Sequence, residues 1–479
     1  MNEDHRRTTV VVGAGLAGLT AATGLAARGY AVTVLEARDR VGGRTHGIEA
    51  APGVLVDAGA AYLGDRHTEL LALAADLGLK TTPTTMLGAS RFALTRHDGS
   101  AEPATRDGRF PPLDAVALGD LFERLAELTD TVRPEAPWLT PDAERLDALT
   151  VAEWAERHLT HPDARLFLPL FLGEMCAADP ADLSVLHLAF YLRSGGGLRY
   201  LNAFAGGAQQ DRIDGGAHQL CQRLAEPLGA RVRLGEAVRA VHQDDRAVTV
   251  HTDRGAYRAD IAVLALPPLL ADTIAYQPPL PAPRAGERTT RGCAIKVHLV
   301  YPSPLWREHG LSGWSVNARG PLLSTVDDSP GSGSPGSGSS GDDSPGGYSS
   351  GACSSGACSP ADGIGVLTGF VTGAEAHRFG ALTPERQRAE AVEQAARLFP
   401  MLPEPLGVHV TDWVNDPFSR GCYAALLGPG DWIRTGPTLT APHQRVHWAG
   451  TETSTAFFGL MEGAIRSGHR VVAEVLARG

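Results

Sequence analysis

An α/β fold with a parallel sheet assembled early in the chain, joined to a second α+β portion, is what this sequence predicts, and three observations carry the expectation. Residues 8–36 read strand, glycine turn, helix, strand: TTVVVGAG, then LAGLTAATGLAARG, then YAVTVLEA, with Gly29 ending the helix. A β-rich texture returns between Gln222 and Pro268 (ARVRLGEAVRAV, RAVTVHTD, ADIAVLALP), after a helix-rich excursion over residues 81–211. The chain has 479 residues, past the size at which a single core stops growing, so two domains or one large composite are expected.

The first strand ends in Gly13-Ala14-Gly15-Leu16-Ala17-Gly18, a GxGxxG placed between strand and helix. Glycines there permit a tight turn, close approach of backbone to a pyrophosphate and close helix packing, and the helix N-terminus offers N–H groups and a positive dipole end. Glu36 closes the second strand, where a carboxylate accepts hydrogen bonds from a ribose diol. Together they predict a dinucleotide site. The next stretch, RDRVGGRT, sets Arg38, Gly42, Gly43 and Arg44 just beyond that strand, where they can meet phosphate and an aromatic ring system.

The excursion holds helical segments such as LGDLFERLAELTD and LTVAEWAERHL. Residues 327–363, DDSPGSGSPGSGSSGDDSPGGYSSGACSSGACSPADG, are nearly all Gly, Ser, Pro, Asp and Ala; they cannot bury a core and read as a disordered insertion in a loop. Cys353 and Cys358 inside it could be taken for a metal pair or a redox switch, but they lack zinc-site spacing with histidines, so an incidental origin is favoured and no metal site is expected. Strand-like IGVLTGFV and a helix, LTPERQRAEAVEQAARLF, follow.

Composition excludes several functions. Hydrophobic residues at 43% and charged ones at 20% are those of a folded globular protein. The formal net charge is −11, so no basic field exists to hold nucleic acid. The longest apolar run, Val10 to Ala27, carries Gly13, Gly15, Gly18 and Gly24 and opens on a β-branched strand, which argues against a membrane span. The polar start MNEDHRR leaves no room for a signal sequence, and six scattered cysteines fit a reducing compartment, so a cytoplasmic protein is expected.

VVGAGLAGL, EARDRVGGR and VDAGAAYLG, followed near the C-terminus by HWAGTETSTAFFGLMEGAIRSG, resemble the two flavin signatures of the flavin-containing amine oxidases, the family of monoamine, polyamine and L-amino-acid oxidases. RIDGGAHQLCQRLAEPLG, LALPP and CAIKVHLVYPSPLW fall between them in the order of the monoamine oxidase branch. The resemblance implies a discontinuous Rossmann-like FAD-binding domain of the p-hydroxybenzoate hydroxylase/monoamine oxidase type (1–80, 212–289 and 416–479) and an α+β substrate-binding domain (81–211 and 290–415). It also implies Gly450 and Glu452 near the pyrophosphate and ribityl chain, Val238 at the adenine end, Trp413 beside the ring, and Met461 opening a helix aimed at the ring's C2 carbonyl. That helix end would stabilise negative charge on the ring.

By the same resemblance Lys296 holds a water against flavin N5. A lysine inside the apolar strand CAIKVHLV, of which half should be buried, is costly enough to suggest a role. Cys422, in Ser419-Arg420-Gly421-Cys422-Tyr423, matches the cysteine joined to the flavin 8α-methyl in monoamine oxidases, although Arg420 replaces their glycine. Tyr423 would form one wall of an aromatic cage around the amine; the opposite wall is Leu460, so half of the cage is missing unless Phe457 or Phe458 fills it. Gln209 matches a substrate-site glutamine, and Tyr200 and Leu201 fall near a gate.

The implied reaction is oxidation of a small-molecule amine to an imine by transfer of a hydride equivalent to the flavin, with O2 reduced to H2O2, in an apolar site with few titratable groups. Alternatives are an L-amino-acid oxidase, which needs an arginine such as Arg91 or Arg199 facing the substrate carboxylate, a flavin-dependent desaturase or isomerase of a hydrophobic intermediate, and an inactive FAD-binding scaffold. The chain ends on a helix without a hydrophobic tail, which suggests no membrane association, and a homodimer is a possible assembly.

Overall fold

The computed structural model describes residues 6–84, 86–94, 102–331 and 363–478. Strand β1 (Thr8–Val12) leads through the glycine turn into helix α1 (Leu16–Ala26) and strand β2 (Ala31–Glu36). β1 pairs in parallel with β2 on one side (Val12 opposite Leu35) and with Ile261–Leu264 on the other (Val12 opposite Leu264). Val232–Leu234 and Val446–Trp448 complete a parallel sheet of five strands among the described residues. Val10, Val11 and Val12 are all buried, as expected where helices and strands cover both faces of a parallel sheet. α1 packs on the C-terminal helix Met461–Ala477 so closely that a Cβ on Gly468 would stand 2.8 Å from the Ala17 carbonyl oxygen.

A second, mixed sheet runs in the order Gly407–Asp412, Ala294–Tyr301, Gly365–Thr372, Ser324–Asp327, Leu311–Asn317, Ala89–Ala93, Ala104–Arg106. All eight residues of Ala294–Tyr301 are buried, not the half that its alternation suggested. The period of two survives, but both faces are covered. Ile295, Val297 and Leu299 pack against Ala391, Ala395 and Leu398 of the helix Pro384–Leu398, while Val300 meets Val54 and Val56 of the hairpin following β2. Helices Ala115–Thr131, Pro162–Cys176 and Val185–Ser194 share a separate core with Ala424 and Phe458.

The Gly/Ser-rich segment begins later than its composition indicated. Asp327, Asp328 and Ser329 are buried; Asp327 accepts hydrogen bonds from Trp306 Nε1 (2.9 Å) and Arg307 Nε (2.6 Å), and Asp328 pairs with Arg212. Two aspartates in a low-complexity stretch are held by cations from other elements, which composition alone does not disclose. Residues 332–362, with Cys353 and Cys358, lie outside the described residues. Cys176, Cys221, Cys293 and Cys422 are buried free thiols. Among the described residues no helix is long and apolar enough to cross a membrane.

Candidate active site

A cavity of about 650 Å³ runs from the end of β1 to the strand Leu311–Asn317, crossing from one sheet to the other. At its β1 end lie Gly13, Gly15, Gly18, Gly42 and Gly43, with Val238 farther along. Only glycine serves at position 18, where a Cβ would meet the Gly13 carbonyl oxygen at 2.0 Å. At Gly15 a Cβ would find nothing nearer than 3.9 Å, so backbone faces open space at the start of α1, and no side chain caps that helix. Glu36 lines the same end; its carboxylate accepts from the N–H groups of Ala14 (2.8 Å) and Arg38 (3.0 Å), which fixes it against the glycine turn.

Arg38 and Arg44 both line the cavity, and each is tied to the C-terminal part of the chain. Arg38 bonds Asp416 and the Ser419 hydroxyl (2.8 Å). Arg44 donates to both oxygens of Glu452 (2.7 and 3.0 Å) and to the Tyr423 carbonyl (2.7 Å). Gly450 and Thr451 line the cavity, and Glu452, between Thr451 and Thr453, reaches it through Arg44.

Lys296 lines the middle of the cavity. Its Nζ donates to the carbonyl oxygens of Asp57 (2.8 Å) and Gly59 (2.7 Å) and lies 5.2 Å from the centre of the Phe370 ring. Trp413 Nε1 takes the intervening carbonyl, that of Ala58, at 2.8 Å. Three successive carbonyls thus fix the lysine and the tryptophan. Burial lowers the lysine's pKa, and the Asp328 and Asp57 carboxylates oppose that shift. Burial pushes Asp57 itself up to about 7.

Cys422, Tyr423, Leu460 and Met461 all border the cavity. Burial pushes the Cys422 thiol up to about 11, with Arg44 and Lys296 pulling the other way. Met461 opens the C-terminal helix after Leu460, which as an apolar N-cap offers no side-chain acceptor, while the first-turn Glu462 accepts from the N–H groups of Glu69 and Leu70 (3.2 and 2.8 Å). Gln209 and Leu201 reach the cavity; Tyr200 does not, since its hydroxyl accepts from the Arg66 N–H at 3.0 Å. Phe457 stacks edge-on against His67 and Phe458 against His187 and Phe190, so neither replaces the missing cage wall. Aromatic surface comes instead from Tyr191, held by a 2.7 Å hydrogen bond to the Met175 carbonyl, and from Tyr62.

Glu174 is the functional candidate that sequence reasoning missed, a titratable group in a lining expected to be apolar. It stands in the last turn of the helix Pro162–Cys176 and lines the cavity, and burial pushes its pKa up to about 7. A signal was present: in LPLFLGEMC it is the lone charged residue of an otherwise apolar helical run. Arg91 and Arg199 are not among the cavity-lining residues. Arg91 bonds the Leu398 carbonyl (2.7 Å) and Thr105 (2.6 Å), and Arg199 is exposed.

A glycine-lined channel with open backbone, two uncapped helix starts and fixed arginines fits a flavin dinucleotide along its length. The family model described as flavin containing amine oxidoreductase matches residues 16–476. The chain belongs to this family.

As a flavin-containing amine oxidoreductase, the enzyme uses FAD as its cofactor. A Mycobacterium tuberculosis protein named as a flavin-containing monoamine oxidase is 35% identical over 98% of this chain and 96% of its own length. One of Dictyostelium discoideum, named as flavin-containing monoamine oxidase A, is 33% identical over 97% and 96%. A Synechocystis L-amino acid dehydrogenase is 29% identical over 98% and 94%. Among solved structures, cyclohexylamine oxidase from Brevibacterium oxydans superposes with a TM-score of 0.86 at 30% identity, covering 99% of both chains. A redesigned putrescine oxidase superposes with 0.85 at 29% identity, again over 99% of both. The fold is therefore that of the FAD amine oxidases, a Rossmann-like cofactor unit joined to an α+β portion.

Proposed function

We propose that this enzyme oxidises a small amine at the carbon bearing nitrogen, releasing an imine that water converts to an aldehyde or ketone, with O2 reduced to H2O2. The observation that carries this reading is Lys296, buried, bordering the cavity and anchored on two backbone carbonyls, with Cys422 and Tyr423 on the same cavity. Bound FAD supplies the acceptor for the hydride equivalent and passes its electrons on to oxygen.

The chain's own residues position and desolvate. Arg44 pins the Tyr423 carbonyl and so fixes one wall beside which a neutral amine can lie; Leu460 and Tyr191 bound the other side. Lys296 holds a proton-bearing nitrogen at the centre of the site, where it can orient a water or oxygen. Aromatic and aliphatic side chains keep bulk water from the reacting carbon. Cys422 is the residue we assign to covalent attachment of the flavin. The sheet strands at 8–12, 31–36, 232–234, 261–264 and 446–448 support assigning 1–80, 212–289 and 416–479 to the cofactor domain and the rest to the substrate domain. Oxidation of an L-amino acid is disfavoured, because neither Arg91 nor Arg199 meets the cavity while Glu174 does and would repel a substrate carboxylate.

The deciding experiment is anaerobic mixing of the oxidised holoenzyme with primary amines, secondary amines, polyamines and L-amino acids. Bleaching of the flavin by amines, with recovery of colour and formation of peroxide on admission of air, is expected; bleaching by amino acids alone, or by none of them, overturns the reading.

A further inference from the structure

Glu174 Oε1 is buried without a hydrogen-bond partner. The Ser324 hydroxyl faces the carboxylate without closing a bond of good geometry, and it too lacks a partner. Arg109, the cation whose charge reaches Glu174, is turned elsewhere: it donates to the Asn202 carbonyl and lies over the Phe204 ring at 4.7 Å. Trp314 lines the same cavity, and its indole N–H is likewise unpaired. A carboxylate oxygen left without a partner beside an apolar cavity is expensive, and the cost is recovered when a charged donor enters.

We propose that Glu174 binds a second protonated nitrogen of the substrate, so that the enzyme selects diamines over monoamines of equal length. The inference rests on the amine-oxidase reading and names its substrate class. The nitrogen at Glu174 is not the reacting one. A carboxylate pairing with the reacting nitrogen would keep it as an ammonium, whose lone pair is then unavailable to drive loss of the α-hydrogen. Burial raises the pKa of the Tyr423 phenol, and the charge of Glu174, which stands on a different element, adds to that shift, so the two groups face one cavity. Met175, Tyr191, Leu201 and Phe204 line the same cavity with largely apolar surface, which suits a methylene linker.

Binding can be read without turnover on holoenzyme reduced with dithionite, titrated calorimetrically at pH 8 with 1,5-diaminopentane and with 1-aminopentane. Wild type is expected to bind the diamine about tenfold or more tighter, and Glu174→Gln to erase most of that difference while leaving the monoamine affinity within about threefold. Absence of a preference in wild type overturns the proposal regardless of any variant. A preference that persists in Glu174→Gln or Glu174→Leu, or an equal loss for both ligands, also overturns it. Should the diamine bind through Glu174 while no amine bleaches the oxidised flavin, the subsite stands and the oxidation reading alone fails.

Discussion

Arg44 and Glu452, separated by more than four hundred positions in sequence, form a two-pronged ion pair at 2.7 and 3.0 Å, with the carboxylate 1% exposed and the guanidinium 21%. The pair joins the glycine-rich segment after β2 to the C-terminal signature and, through the 2.7 Å bond from Arg44 to the Tyr423 carbonyl, fixes the backbone of a cavity-bordering tyrosine. Glu452 also accepts from the Ala425 N–H at 3.2 Å.

Removing one partner leaves a buried charge uncompensated. Glu452→Gln is expected to cost about 3–5 kcal/mol of stability, since breaking a buried pair costs more than the pair itself contributes. Thermal unfolding together with flavin content of the purified protein checks this, and a change in melting temperature within error would refute it.

Lys296 offers a kinetic prediction. Lys296→Met keeps the length of the side chain and removes the charge beside the Asp57 and Gly59 carbonyls. Reoxidation of the reduced enzyme by O2 is expected to slow by about tenfold or more, while anaerobic reduction by amine changes less, because the lost charge acts where negative charge accumulates. Stopped-flow traces of the two half-reactions separate these effects; equal slowing of both would contradict the assignment.

Glu174 makes stability depend on pH in a stated direction. Its pKa is about 7 in the folded protein, above the ordinary glutamate range, so the folded state binds more protons than the unfolded chain between about pH 4.5 and 7. Stability therefore falls as pH rises through that window, where the buried carboxyl must ionise. Glu174→Gln is expected to be about 1–2 kcal/mol more stable than wild type at pH 8 and level with it at pH 4.5. Denaturant unfolding at the two pH values measures the difference, and an equal offset at both would exclude ionisation as its cause.

Cys422 borders the cavity with a thiol whose pKa burial raises to about 11. If it carries the flavin, acid precipitation leaves the colour in the protein pellet, and Cys422→Ala releases it to the supernatant. Colour in the supernatant of wild type would rule out the bond.

The contrast between Glu36 and Glu174 shows where sequence reading reaches. Glu36 was legible because its place at the cavity follows from local order: strand, glycine turn, helix, strand, then a carboxylate, all within one chain segment. Lys296, Cys422 and Tyr423 were legible as members of motif strings. Asp328 was read as part of a disordered insertion because its neighbours are Gly, Ser and Pro, and only the approach of Arg212 and Lys296 from other elements explains its burial; although burial pushes its pKa up, those cations hold it below the usual carboxylate range.

By itself the sequence determined the parallel cofactor-binding unit, the helix-rich excursion and the residues bordering the cofactor channel, since periodicity, turn chemistry and short motifs are properties of neighbouring residues. Only the tertiary structure decided that Glu452 pairs with Arg44, that Phe457 and Phe458 pack on other rings and do not line the cavity, that both faces of Ala294–Tyr301 are covered, and that a carboxylate stands in the cavity. Each of those outcomes depends on which distant surfaces meet, and the free energy of burying or pairing a side chain is set by its neighbours in space.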